Sequence, residues 1–342
     1  MYLISPKLHQ YKANLHCHSI YSDGKKTPAE LKDLYKRNGY SVLSITDHEI
    51  PQKHCYLDDE DFLTITGYEG YIRINPNAVN EPYNREIHLN LFARDPNNET
   101  MICYNKPYAD RYANDQQQNG WKRAGTEQTR EYSRDYINDY IRTAKANGYI
   151  VSYNHPAWSM ELEEDILSYD GYFSLEMCNY SSFLINRLEY NGALYDKMLR
   201  AGKRVACHGS DDNHNAFPEG DPACDSCGAF TMILAEKLEY DTVFDAMERG
   251  EMYSSTGPLF KEVSIEDNRL HIECSEVEQI VVYTGGKKTH RAFARDGISL
   301  TVADFEVDTN APYIRISVFD KNGHSADTRG YFRDELPFGD EK

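Results

Sequence analysis

The 342-residue sequence is poor in tryptophan, which occurs twice, and short of positive charge: 37 lysines and arginines face 55 aspartates and glutamates, a formal net charge of -18. It also lacks long apolar runs. The longest, such as residues 229–235, are strand-length and far short of the ~20 residues that span a bilayer. The first ten residues have no apolar signal core, so a cytoplasmic protein without a membrane segment is expected. No CxxC…CxxC zinc pattern is present. Of the eight cysteines only Cys224 and Cys227 form a close pair, and free thiols are expected rather than disulfides. No GxGxxG turn follows the first expected strand, which argues against a dinucleotide-binding sheet. Repeats and low-complexity tracts are missing too. The acidic balance argues against a broad nucleic-acid-binding face, but not against a small anion, because bound divalent cations reverse the local field.

What is present is an alternation of short strands and helices to about residue 250. Strand-like runs fall at 13–18, 42–46, 62–68, 87–92, 149–153, 172–177, 204–207 and 229–234. The segment Thr27-Pro28-Ala29-Glu30 reads as a capping box, with Gly39 closing the helix. Further helices are expected over 130–147, 184–201 and 241–249, each followed by glycine. Seven or eight such units predict an α/β fold, a distorted (β/α)7-8 barrel over residues 1–257. Residues from about 94 to 129 break the rhythm with Asn, Gln, Asp, Arg and Tyr. In a barrel they form either a wall or lid over the active site or a variable surface loop. Beyond 257 only strand alternation and hairpin turns remain, predicting a small all-β sandwich over 258–342. Its His271, His290 and His324 show no ligand spacing.

Chemistry-bearing residues recur where strands end. His16 and His18 are two apart, so a strand would put both imidazoles on one face. Ser22-Asp23-Gly24 follows. The second strand ends in Thr46-Asp47-His48, the third near Glu69, the fourth carries His88, the fifth ends in Asn154-His155-Pro156, and the seventh in Ser210-Asp211-Asp212-Asn213-His214. Any one histidine could be an ordinary core residue. Six strands delivering His, Asp or Glu to the same end is a different matter.

This ordered set, HCH with SDG, TDH, the Glu of GYE, His88, the His-Pro pair and SDDNH, resembles the polymerase and histidinol phosphatase (PHP) family over residues 10–257. The resemblance implies two or three divalent metals, with zinc, manganese and iron all compatible with mixed imidazole and carboxylate ligands. One ion would take His16, His18, Glu69 and Asp212. Glu69 would bridge to a second, bound also by His88 and His155, and a third would use Asp23, His48 and His214. The family's D-x-H motif is preceded here by an extra aspartate, which leaves Asp211 as an alternative ligand. Asp47 is expected to orient a neighbouring imidazole. A hydroxide bridging two ions would be the nucleophile, with His208 or His54 as candidate acids for the leaving oxygen.

Phosphate recognition calls for cations, and Arg73, Arg85, Arg111 and Arg123 are candidates of equal standing. Glu176 and Asn179, ending the sixth strand, are candidate substrate contacts. Tyrosines between Tyr104 and Tyr140 are candidates to stack on a base or sugar. The expected function is a phosphoesterase acting on a small phosphomonoester, a nucleotide or sugar phosphate. The alternatives are a metal-dependent carboxylic ester or carbamate hydrolase on the same scaffold, and a non-catalytic metal-stabilised binding protein.

Overall fold

A computed structural model describes residues 1–75, 83–127 and 129–338. Gln128 of the expected insertion and residues 339–342 of the expected β domain lie outside the described residues. None of the described helices is long and apolar enough to cross a membrane, and all eight cysteines are free.

The first helix shows how local sequence positions the site. The Thr27 hydroxyl accepts from the Glu30 backbone N–H at 3.3 Å, and the Glu30 carboxylate accepts from the Thr27 N–H at 2.8 Å, closing the predicted capping box over Pro28–Arg37. Its buried stripe is Leu31, Leu34 and Tyr35. The Tyr35 hydroxyl reaches through the core to Asp211 and Asn213 at 2.8 and 2.7 Å, so a helix starting at residue 28 braces a loop almost two hundred residues later.

The strands form a mixed α/β arrangement that departs from a regular barrel. One sheet has the order Ala206–Ser210, Ser174–Asn179, Tyr149–Asn154, Glu86–Ala93, Gly67–Arg73. Its first three strands are parallel, but Glu86–Ala93 runs antiparallel to both neighbours. A larger, ten-stranded sheet holds His9–Asn14, Val42–Leu43 and Leu63–Thr64 side by side in parallel. Backbone hydrogen bonds beyond the regular strands join the two sheets on both sides, from the His18 N–H to the Asn213 carbonyl at 3.1 Å and the Asp212 N–H to the His16 carbonyl at 2.9 Å on one, and from the Glu49 N–H to the Glu69 carbonyl at 2.8 Å on the other. The Gly209 N–H donates to the Thr231 hydroxyl, which donates back to the Gly209 carbonyl at 2.8 Å, and His48 forms an isolated bridge with Glu69. A Cβ on Gly209 would stand 2.9 Å from the Phe230 carbonyl oxygen, so only glycine admits the first seam.

The expected division at 257/258 is crossed by hydrogen bonds. From His9–Asn14 the ten-stranded sheet continues through Phe230–Ala235 and Met252–Ser255 to Ser325–Thr328, Tyr313–Phe319, Gln279–Tyr283 and His290–Phe293. It faces a second sheet in which Tyr2–Ile4 pairs with Phe260–Glu266. One apolar cluster, including Ile4, Leu34, Tyr253, Ile272 and Val318, serves both parts. The helix expected over 184–201 is two helices, Tyr180–Asn186 and Gly192–Arg200. Arg187 and Glu189 take left-handed φ values of 58° and 62° between them, a conformation that ends a helix.

Residues 94–127 form a packed unit. Thr100–Ile102 pairs in parallel with Lys122–Ala124, and Asn114 caps the helix Asp115–Gly120 reciprocally with Gln117. Met101, Ile102, Cys103 and Tyr104 join the core beneath the five-stranded sheet. The insertion is therefore a wall anchored by its own apolar residues.

Candidate metal centre

His16, His18, Asp23, His48, His155, Asp212 and His214, on segments that follow strands, meet Glu69 and His88, which lie within Gly67–Arg73 and Glu86–Ala93, in one cluster. Four overlapping groups have ligand atoms within 4.8 Å of one another: His18, Asp23, His48 and His214; His16, His18 and Glu69; His16, His155 and Asp212; and His48, Glu69 and His88. The grouping differs from the expected one in detail. His155 stands with His16 and Asp212, and His48 reaches both the Asp23 group and Glu69.

The spacing fits shared ions. Donors about 2.0–2.2 Å from one ion stand roughly 3–3.5 Å apart in tetrahedral geometry. His18 Nε2 and His16 Nε2 lie 3.0 and 3.2 Å from Asp212 Oδ1, His16 Nε2 and His155 Nε2 lie 3.2 and 3.3 Å from Glu69 Oε1, and His214 Nε2 lies 3.4 Å from Asp23 Oδ1. His16 and His18 turn their Nε2 atoms toward each other at 3.2 Å. Three buried polar atoms of the cluster have no hydrogen bond: His48 Nδ1, Glu69 Oε2 and His88 Nε2. His48 Nδ1 and Glu69 Oε2 are 2.8 Å apart yet lack hydrogen-bonding angles, as two lone pairs do when both aim at a cation between them. Buried polar groups are otherwise paired as a rule, so the donor set fits divalent metal.

Electrostatics lead to the same place. Burial opposes ionisation of Glu69, but the imidazoles of His88, His16 and His48 overcome it and hold the carboxyl well below its usual range. Asp212 behaves likewise, burial being overcome by His16 and His18. In return His88, although buried, is pushed up to about 10 by Glu69 and Glu86, and His214 to about 9 by Asp23 and Asp212. His18 moves the other way, burial and the neighbouring His48 and His214 lowering it to about 4.

Second-layer groups set the tautomers. The Glu176 carboxylate accepts from His16 Nδ1 at 3.1 Å, from the Ser210 hydroxyl at 2.6 Å, and from the His155 N–H and Asn179 amide at 3.0 Å each. His16 therefore carries its proton on Nδ1 and presents a lone pair at Nε2. His214 Nδ1 is 3.1 Å from the Asp212 carbonyl, freeing its Nε2 in the same way. Some of the chain's left-handed non-glycine backbone falls at the site: Glu49, His155 and Asp212 have φ values of 55°, 23° and 52°, a conformation costly for residues with a side chain.

Several expected roles are revised by position. Glu176 is fully enclosed and spends both oxygens on four donors, so it orients His16 instead of touching substrate. Asn179 donates to Asp212 Oδ2 at 3.0 Å and caps the following helix through Ser182. Among the described residues the Asp47 carboxylate hydrogen-bonds to no imidazole. Its oxygens accept from the Ser19 and Ser22 backbone and hydroxyl groups at 2.5–3.2 Å, folding the turn that presents Asp23. Asp211 accepts from the Cys227, Gly228 and Ala229 N–H groups and the Tyr35 hydroxyl, which makes it a loop anchor; Asp212 is the residue turned into the cluster.

Both acid candidates are buried. His208 is fully buried beside Glu176, with Nδ1 3.0 Å from the Ser174 hydroxyl. Burial lowers its pKa to about 4, leaving a neutral, enclosed ring. Likewise His54 is buried against Tyr21, and burial lowers it to about 4.

The arginines separate. Arg73 pairs with Glu86, and Arg85 with Asp165 at 3.2 Å. Arg123 packs over Tyr104 and reaches Glu127. Arg111, in the insertion, donates to the Tyr71 hydroxyl at 3.1 Å and forms no ion pair among the described residues. Its neighbour Tyr112 stacks on His48, centroids 5.2 Å apart, while Tyr71 stacks on His88 at 5.2 Å. The sequence patterns missed Asn154, whose amide donates to Glu69 Oε1 at 3.1 Å; its place just before His155 was the available signal. They also missed the buried pair of Arg130 with Glu49, for which sequence offered none.

No protein-family model matches the sequence, and no curated protein does. Among solved structures, the chain is similar to a two-domain protein from Bacteroides vulgatus containing a predicted PHP-like metal-dependent phosphoesterase: 13% identity, TM-score 0.48, covering 96% of this chain and 97% of that one. It is also similar to an amidohydrolase from Chromobacterium violaceum with bound sulfate and no metal: 14% identity, TM-score 0.37, covering 59% of this chain and 87% of that one. The metal-centre reading rests on the ligand geometry above.

Proposed function

We propose that the protein is a metal-dependent hydrolase of small phosphomonoesters. The observation that carries this reading is Arg111, an unpaired guanidinium among the described residues, held by Tyr71 on the insertion wall beside a cluster able to hold two or three divalent ions. When bound, such ions supply an activated water near neutral pH and offset the charge of phosphate oxygens.

The chain's own residues do the rest. The Glu176 carboxylate and the Asp212 carbonyl fix the imidazole tautomers of His16 and His214, and the Ser159 hydroxyl holds the His155 ring at Nδ1. Tyr112 and Tyr71 wall the His48 and His88 side and limit water there. Arg111 offers planar N–H donors to the non-reacting phosphate oxygens. The cluster is open on one flank, since the Asp23 side chain is 42% and the His214 side chain 32% exposed. That access supports catalysis over a purely structural metal site. The acidic surface fits a small substrate better than a polymer of phosphates.

The test is phosphate release from a panel of phosphomonoesters by protein loaded separately with Zn, Mn or Fe. Release that chelation abolishes and metal restores is expected. Hydrolysis of carboxylic esters or carbamates with no phosphate released would replace this reading by the alternative bond specificity.

A further inference from the structure

The rim of the metal centre carries an aromatic that the chemistry above does not use. Trp158, one of only two tryptophans, is 42% exposed, although its indole stands edge-on to two cluster imidazoles, with centroids 5.1 Å from His155 and 5.6 Å from His88. Its backbone N–H donates to the Glu189 carboxylate at 2.5 Å, so the turn after His155 is tied to the break between the two helices. Both segments expose apolar side chains: Met160 and Leu162 on one, Ile185 and Leu188 on the other. Exposed apolar side chains gathered in this way, unlike ones scattered singly, mark a binding surface.

We infer that Trp158 forms an apolar subsite for the organic part of the substrate, and that the preferred ester carries a flat aromatic group. This rests on the phosphoester reading above. The placement favours substrate over a protein partner. Any group covering the indole lies within a ring's width of the imidazoles that would hold metal, where the ester's organic portion must sit once its phosphate is on the ions and Arg111. Tyr112, stacked on His48, supplies a second ring along the same cluster. A flat group meeting the indole face or edge gains area burial and ring–ring contact together, and one such apolar group in a pocket is worth about ten-fold or more in discrimination.

The experiment compares kcat/KM for 2-phenylethyl phosphate and propyl phosphate, alkyl esters whose leaving alcohols are of similar acidity, in wild type and Trp158→Ala. The ratio cancels any effect on the shared chemistry. A preference of about ten-fold or more for the aromatic ester is expected in wild type, collapsing toward unity in Trp158→Ala and partly kept in Trp158→Phe. A wild-type ratio near one, or a preference that survives Trp158→Ala, overturns the inference.

A second measurement separates this idea from the phosphoester reading. In metal-loaded Trp121→Phe protein, Trp158 is the sole indole, and its fluorescence is titrated with phenylphosphonate, methylphosphonate and benzoate. Quenching by the two aryl ligands, and not by methylphosphonate, supports the apolar subsite even if no phosphate ester is turned over. Equal responses to all three, or none to the aryl ligands, refute it. A dimer that Trp158→Ala dissociates would assign the patch to a second copy of the chain and likewise overturn the proposal.

Discussion

At the scale of single residues, adjacent side chains with the same chemistry do opposite jobs. Asp211 and Asp212 are neighbours, yet one closes a loop and the other faces the imidazoles of His16, His18 and His155, with a left-handed φ of 52° at Asp212 turning the chain between them. Glu176 is the residue whose role geometry changed most. Glu176→Gln keeps the shape and places an amide opposite His16 Nδ1, so metal affinity measured by titration calorimetry is expected to fall about 10–100-fold. Retained affinity would show that His16 needs no orienting carboxylate.

Glu161 gives a pH effect outside the cluster. The Tyr132 and Tyr169 hydroxyls donate to it at 2.7 and 3.3 Å, and Tyr153 does so as well. Burial dominates those donors and raises its pKa from 4.5 to about 8. The folded state therefore holds a proton that the unfolded chain has released between those values. Its stabilising contribution is complete below pH 4.5 and disappears as pH rises toward 8. Thermal unfolding across pH 5–8.5 should slope downward less in Glu161→Gln than in wild type; equal slopes would count against the raised pKa.

At the scale of elements, the insertion shows how a polar, loop-like composition can hide a packed wall. Its few aliphatics, Met101 and Ile102, are all buried, and its exit is locked by Arg130, whose guanidinium donates to the Glu49 carboxylate and to the Tyr71 carbonyl at 2.7 Å. That lock carries the same Tyr71 that positions Arg111. Arg111→Ala removes a charge-assisted contact of about 1.5–3 kcal/mol. The expected result is a KM for phosphomonoesters raised about ten-fold or more, with kcat changed less. An unchanged KM would remove Arg111 from substrate binding.

At the scale of the whole molecule, the β-rich part is fastened to the catalytic part by a buried ionic group as well as by a shared sheet. Arg315 donates to both Asp196 oxygens at 2.9 and 2.8 Å and to the Ser317 hydroxyl at 2.7 Å, and it lies 3.5 Å from Asp327. Removing one member of such a group leaves an unpaired buried charge. Arg315→Ala is expected to cost about 3–5 kcal/mol in denaturant unfolding and to lower one transition for the entire chain; two separate transitions would show that the parts unfold independently.

The alternation of strands and helices and the first helix cap were legible in the sequence because they depend on local periodicity. A strand alternates its faces, and a helix needs its Thr27–Glu30 cap. Strand ends were not legible: the expected strand 13–18 is His9–Asn14, and the expected strand 62–68 is two, Leu63–Thr64 and Gly67–Arg73. Which carboxylate serves which imidazole was not legible. The distances that decide it join Glu176 to His16, Tyr35 to Asp211 and Arg130 to Glu49, pairs 160, 176 and 81 residues apart. The antiparallel turn of Glu86–Ala93, the sheet shared across residue 257 and the choice of Arg111 among four arginines belong to the same class. Sequence by itself determined which residue types reach the site; tertiary structure alone decided their partners, because hydrogen bonds and charges act across space without regard to chain order.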